Sequence, residues 1–144
     1  MADAKRKMMG LDVGDARIGV AMSDELALLA HPAGIIERKA GNAIGKIIEI
    51  VRREGVETVV IGLPLNMDGS EGRQAHRVRH FGRKIRAAAP DLQIEWEDER
   101  LTTVEARELR LMSGAKRSKR AEHVDHLSAA LILQSYLDSG KGGK

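Results

Sequence analysis

The stretch Met8-Met9-Gly10-Leu11-Asp12-Val13-Gly14-Asp15-Ala16-Arg17-Ile18-Gly19-Val20-Ala21-Met22-Ser23 decides how the rest of the chain is read. Its first part, Met8 to Val13, is apolar but for one acid, and Gly14-Asp15-Ala16 has the composition of a turn. From Arg17 onward Ile18, Val20 and Met22 recur with the period of two that marks a strand. Two strands around a tight Gly-containing turn predict a β-hairpin. Asp12 is the exception inside it, with Leu11 and Val13 directed to the opposite face. A carboxylate in an apolar strand has to be paired, protonated or metal-bound, because burying it bare is too costly.

Outward from the hairpin, Pro32 to Arg38, centred on Ile35-Ile36, predicts a third strand. Over Asn42 to Glu54 the period changes: Ile44, Ile47, Ile48 and Val51 share one helical face, and Gly55 stops the helix. Thr58 to Leu63 is apolar almost throughout, as a parallel strand covered on both faces would be. Pro64 ends it, and Leu65 to Gly72 reads as a loop. Ala75, Val78, Phe81, Gly82, Ile85 and Ala88/Ala89 then return at helical spacing, and Leu92 to Trp96 alternates as a strand. Thr102 and Glu105 form a capping box that opens a helix to about Met112. After a loop over Ser113 to Arg120, Val124, Leu127, Ala129-Ala130 and Leu131 predict a last helix to Leu137. The order β-β-β-α-β-α-β-α-α predicts an α/β fold with a mixed five-stranded sheet, three leading antiparallel strands followed by parallel ones, flanked by helices. Residues 1–138 are expected to form one domain and residues 139–144 a flexible tail.

The chain has 144 residues, 24 Lys+Arg against 21 Asp+Glu, and no cysteine. A domain of that size buries roughly two-thirds of its unfolded surface and needs no staples. Absence of Cys excludes a disulfide framework, a thiolate zinc site, an iron–sulfur cluster and a cysteine nucleophile. Three aromatics, Phe81, Trp96 and Tyr136, are too few for a platform that stacks single-stranded bases. The basic N-terminus is followed by an apolar run broken by Asp12 and Asp15, which does not make a secretory signal. No apolar run reaches the ~20 residues that span a bilayer, so a cytoplasmic location without a membrane partner is expected.

Net charge is only +3, but it is unevenly spread. Arg73, Arg77, Arg79, Arg83, Lys84 and Arg86 lie between Gly72 and Pro90 with no acid among them, and Lys116-Arg117-Ser118-Lys119-Arg120 is a second basic run. Acids concentrate in Glu95-Trp96-Glu97-Asp98-Glu99. Basic surfaces beside gathered carboxylates suit a polyanion brought to a metal ion. Besides Asp12, the candidates are Glu99 or its neighbour Asp98, at the end of a strand, and Asp125, expected in the first turn of the last helix on the face of Ser128, Ala129 and Ile132. Arg17, Arg73, Arg77, Arg83, Lys84, Lys116, Arg117, Lys119 and Arg120 are the expected phosphate contacts.

Four motifs in order then carry a resemblance: Gly10-Leu11-Asp12-Val13-Gly14 with Arg17-Ile18-Gly19-Val20-Ala21; Gly62-Leu63-Pro64-Leu65-Asn66-Met67-Asp68-Gly69; Asp98-Glu99-Arg100-Leu101-Thr102-Thr103; and Val124-Asp125 with Ala129-Ala130, Leu133-Gln134 and Tyr136-Leu137. Together they resemble the YqgF/RuvX family of Holliday-junction resolvases and pre-16S ribosomal RNA 5′-end nucleases. The resemblance implies an RNase H-like fold and a metal-dependent endonuclease whose catalytic and metal-binding carboxylates are Asp12, Glu99 and Asp125. It also implies two Mg²⁺ or Mn²⁺ ions and a structured RNA or branched DNA partner, with a homodimer as one admissible assembly. The expected reaction is phosphodiester hydrolysis in 5′-end processing of pre-16S rRNA. Resolution of a DNA junction is the alternative, and a non-catalytic RNA-binding module of ribosome assembly is the alternative of another class.

Overall fold

β1 (Met8–Val13) and β2 (Arg17–Ser23) pair antiparallel, Val13 opposite Ile18 and Met9 opposite Met22. Gly14 N–H donates to the Arg17 carbonyl at 2.9 Å and closes the turn. A Cβ at residue 14 would stand 2.8 Å from that carbonyl oxygen, which restricts the position to glycine. These features come from a computed structural model, which describes residues 7–100 and 117–140, without the side chains of 117–126.

The further elements are β3 (Ala30–Glu37), α1 (Ala43–Glu54), β4 (Thr58–Leu63), α2 (Arg73–Ala88), β5 (Gln93–Asp98) and α3 (Arg117–Asp138). The strands make one sheet in the order β3-β2-β1-β4-β5, antiparallel across β3, β2 and β1 and parallel across β1, β4 and β5. This is the mixed five-stranded arrangement expected from the sequence. Alternation along the strands divides the core in two. Met9, Leu11, Val13, Val59 and Ile61 pack with Ile47 of α1 and with Val78, Phe81 and Ile85 of α2. On the other face Val60 packs with Ala129, Ile132, Leu133 and Tyr136 of α3. There α3 comes close to β1: a Cβ on Gly10 would fall 2.8 Å from Leu133 Cβ and 2.9 Å from the Ala129 carbonyl oxygen.

Several boundaries differ from the sequence reading. β3 starts at Ala30, ahead of Pro32, which an edge strand accommodates because its outer N–H groups need no partner. Arg38, expected in β3, belongs to a 3₁₀ turn over Arg38–Ala40. β5 runs past Trp96 to Asp98, because pairing with β4 continues to Leu63 opposite Asp98. Ala88, expected against the sheet, is exposed, while Ala89 beyond the helix end is fully buried. α3 spans Arg117–Asp138, so residues 117–120, the end of the stretch expected as a loop, are helical and Asp125 lies in the helix interior instead of its first turn. No Gly or Pro stands between Gly114 and Gly140, and a helix can project polar turns before its apolar face meets the sheet. The helix expected over Thr102 to Met112, Lys116 and the last part of the expected tail lie outside the described residues.

Candidate active site

Alternation directs Asp12 to the face of Gly10, the face covered by α3. Glu99 follows β5 directly, and its N–H donates to the Leu63 carbonyl at 3.2 Å, which continues the ladder one residue beyond the strand. Its carboxylate therefore also turns to the α3 face, where a Cβ on Gly62 would meet Oε2 at 2.8 Å. β4 lies between β1 and β5, so the bare backbone of Gly62 is the floor that lets Glu99 lean toward Asp12. The Glu99 carboxyl is pushed up from 4.5 to about 7, first by burial, then by the negative charges of Asp12 and Asp98. A buried carboxyl with a second acid beside it could hold a proton or a cation.

The acidic run of β5 does not act as one cluster. Glu97 is buried and accepts a 2.6 Å hydrogen bond from the Ser135 hydroxyl of α3. Asp98 takes the opposite face from Glu99 and binds Arg100, accepting from Nη2 at 2.7 Å, Nε at 3.0 Å and the backbone N–H at 2.9 Å. Arg100 holds its carboxyl below the usual carboxylate range. The same guanidinium donates to the Met67 carbonyl at 2.9 Å and so ties down the loop after β4. Within that loop Asn66 and Ser70 bond to each other through backbone and side chains, and Asp68 caps Ser70.

Asp125 shares a helical row with Ala129 and Ile132, four and seven residues on, and both of those are buried on the sheet. Its side chain lies outside the described residues. Among the described residues no three His, Asp or Glu side chains gather as a metal-binding group. Asp12 and Glu99 bring two carboxylates to the α3 face.

Arg73, Arg77, Arg83 and Lys84 are exposed on α2, and Arg17 starts β2 beside the turn. Arg79, part of the same basic run, is engaged elsewhere: Glu71 holds it with two hydrogen bonds of 2.8 and 2.6 Å, and it lies 4.8 Å from the centre of the Trp96 ring. The sequence reading missed Arg38. Its Nη1 donates to the Gly14 carbonyl at 2.8 Å and its guanidinium covers Phe81 at 5.0 Å, bringing a cation to the turn from β3. Lys116 lies outside the described residues, as do the side chains of Arg117, Lys119 and Arg120.

A family model described as "RuvX: Holliday junction resolvase" matches residues 6–139. A protein of Syntrophus aciditrophicus named "Putative pre-16S rRNA nuclease" is 48% identical over 134 residues, covering 92% of this chain and 89% of its own. Proteins of the same name from Caldanaerobacter subterraneus and Desulforudis audaxviator are 46% and 43% identical, each match covering 98% of the relative and 94% and 96% of this chain. Among solved structures, RuvC of Thermus thermophilus in complex with a Holliday junction substrate superposes with a TM-score of 0.57 at 17% identity, over 93% of this chain and 96% of that one. That likeness shows the fold, which is RNase H-like.

Proposed function

We propose, from the premise that this chain belongs to the RuvX family of nucleases, that it is a cytoplasmic, divalent-metal-dependent endonuclease processing the 5′ end of pre-16S ribosomal RNA. One observation carries the reading: Asp12 and Glu99, far apart in sequence, both turn to the α3 face, where the Glu99 carboxylate lies over Gly62 and burial first, then the charges of Asp12 and Asp98, push its carboxyl up to about 7. The donor set fits a hard cation such as Mg²⁺ or Mn²⁺, which takes carboxylate oxygen and keeps part of its water. Asp12 and Glu99 would hold it, with Asp125 as the third carboxylate from α3. A divalent ion bound there supplies Lewis-acid stabilisation of the phosphate charge and lowers the pKa of a bound water, most fully when two ions act together.

The residues of the chain do the positioning. The rigid centre of the sheet fixes Asp12, and the ladder bond from Glu99 to Leu63 fixes the second carboxylate. Covering by α3 limits solvent around them and strengthens each charge interaction. Exposed arginines of α2 neutralise backbone phosphates, which recognises shape and charge without reading bases. RNA is favoured over a DNA junction because the relatives at 43–48% identity carry the pre-16S rRNA name.

Incubation with a pre-16S transcript carrying its 5′ extension, and in parallel with a four-way DNA junction, tests the reading. Mg²⁺-dependent cleavage of the RNA is expected, lost in Asp12→Asn while binding persists. Cleavage of the junction alone would shift the substrate to DNA. Cleavage undiminished in excess chelator would overturn the metal mechanism.

A further inference from the structure

A depression of about 290 Å³ opens beside the β1–β2 turn on the sheet face opposite the carboxylate pair. Its walls carry Arg38, Arg77, His80 and Lys84, with Asp15 at the rim and Phe81 in the floor. Arg77, His80 and Lys84 share one row of α2, three and four residues apart, so the helix presents them as a fixed array. Arg38 reaches the same place from beyond β3 and is already ordered by the Gly14 carbonyl and the Phe81 ring. Arg77 is ordered by Gln74 at 3.2 Å and lies 3.7 Å from the Asp15 carboxylate, both Arg77 and Asp15 being more than half exposed. Three cations around one hollow, two of them pre-positioned, outnumber the one acid among them and have the makings of an anion site.

From this geometry we infer that the hollow binds one non-scissile backbone phosphate of the nucleic-acid substrate, so that the strand passes around the β1–β2 turn from one face of the sheet to the other. Val13 lines the hollow while its neighbour Asp12 projects from the opposite face, so the turn alone separates the two positions. The apolar floor is too deeply buried to receive a base: Phe81 is only 5% exposed. A phosphate, which needs only the cationic rim, is the group that fits. Asp15 occupies Arg77 in the free protein and gives way to the incoming phosphate, to which a guanidinium can offer two parallel donors. The inference rests on the nuclease reading but names a contact remote from the reacting bond.

Binding to the pre-16S RNA fragment is measured in Glu99→Gln protein, which is expected to hold the RNA without cutting it. Single phosphates of the RNA are replaced one at a time by neutral methylphosphonates. The same scan is repeated with Arg77→Ala and Lys84→Ala added, thermal melting confirming that these surface changes leave the fold intact. At one position, outside the cleavage site, the neutral linkage is expected to weaken binding on the order of tenfold in the Glu99→Gln protein and by a severalfold smaller factor, through the remaining Arg38, in the triple variant. Equal penalties in both proteins at every position, or no penalty anywhere, would overturn the hollow as a phosphate site and leave the nuclease reading standing. Failure of the parent to bind the RNA at all would overturn both.

Discussion

Because the Glu99 carboxyl lies near 7 in the folded protein and near 4.5 when exposed in the unfolded chain, it binds a proton in the native state over a pH range where the unfolded chain has lost it. The metal-free protein therefore loses stability as pH rises from 4.5 to about 7 and no further above that, the displacement setting an upper bound of about 3 kcal/mol. Glu99→Gln removes the charge, so in chelator its melting temperature is expected to exceed that of the parent at pH 8 and to converge with it toward pH 5. A mutant no more stable at pH 8 would show that the two carboxylates are not in conflict. Asp98, one residue earlier, has the opposite environment, facing away and neutralised by Arg100. Single-turnover cleavage should fall on the order of a thousandfold in Glu99→Gln, whereas Asp98→Asn should keep most of it. The reverse ranking would put the active carboxylate on the other face of β5.

The elements meet where side chains are missing. At Gly10 an added methyl would collide with α3 backbone as well as with Leu133, so Gly10→Ala is expected to destabilise by roughly 1–3 kcal/mol, read as a lowered denaturation midpoint. Gly62→Ala meets both Ile132 and the Glu99 carboxylate, so it should lower cleavage more than stability alone explains. An unchanged rate in a folded Gly62→Ala protein would argue against Glu99 resting over β4. On α2, Arg77→Ala with Lys84→Ala should weaken binding to all nucleic-acid sequences alike. The slope of log K against log salt should flatten by roughly 0.7 per lost contact on single strands and 0.9 on duplex. A slope equal to that of the parent would assign those charges to solvation of the helix.

At the scale of the whole molecule, α3 closes one face of the sheet, and beneath it burial and the neighbouring charges of Asp12 and Asp98 disfavour an ionised Glu99. Mg²⁺ or Mn²⁺ should raise the melting temperature of the parent and restore cleavage after chelation, because a ligand bound only to the native state stabilises it by mass action. Ca²⁺, larger and content with irregular coordination, should not support cleavage. Asp12→Asn should abolish the Mg²⁺-induced rise in melting temperature. A rise of the same size in that variant would locate the ion elsewhere. Among the described residues no helix is long and apolar enough to cross a membrane.

Periodicity by itself determined β1, β2, α1 and β4 almost to the residue, because their apolar residues recur with the period of the structure they form and Gly14, Gly55 and Pro64 stop them sharply. Asp12 stood out for the same reason: it breaks an apolar strand, where a carboxylate has to be paired, protonated or metal-bound. Elements whose ends depend on a neighbour were not legible in this way. β5 reaches Asp98 because β4 is there to pair with it, and α3 extends N-terminally through residues that carry no apolar signal. Only the tertiary structure joined Arg38 to Arg77 across the turn, since no local pattern links the end of β3 to the face of α2. Only it separated Glu97, Asp98 and Glu99, three adjacent acids alike in sequence, into one bonded to Ser135, one neutralised by Arg100 and one leaning toward Asp12. What a charge does is decided by what lies opposite it, and that is settled by the packing of distant segments.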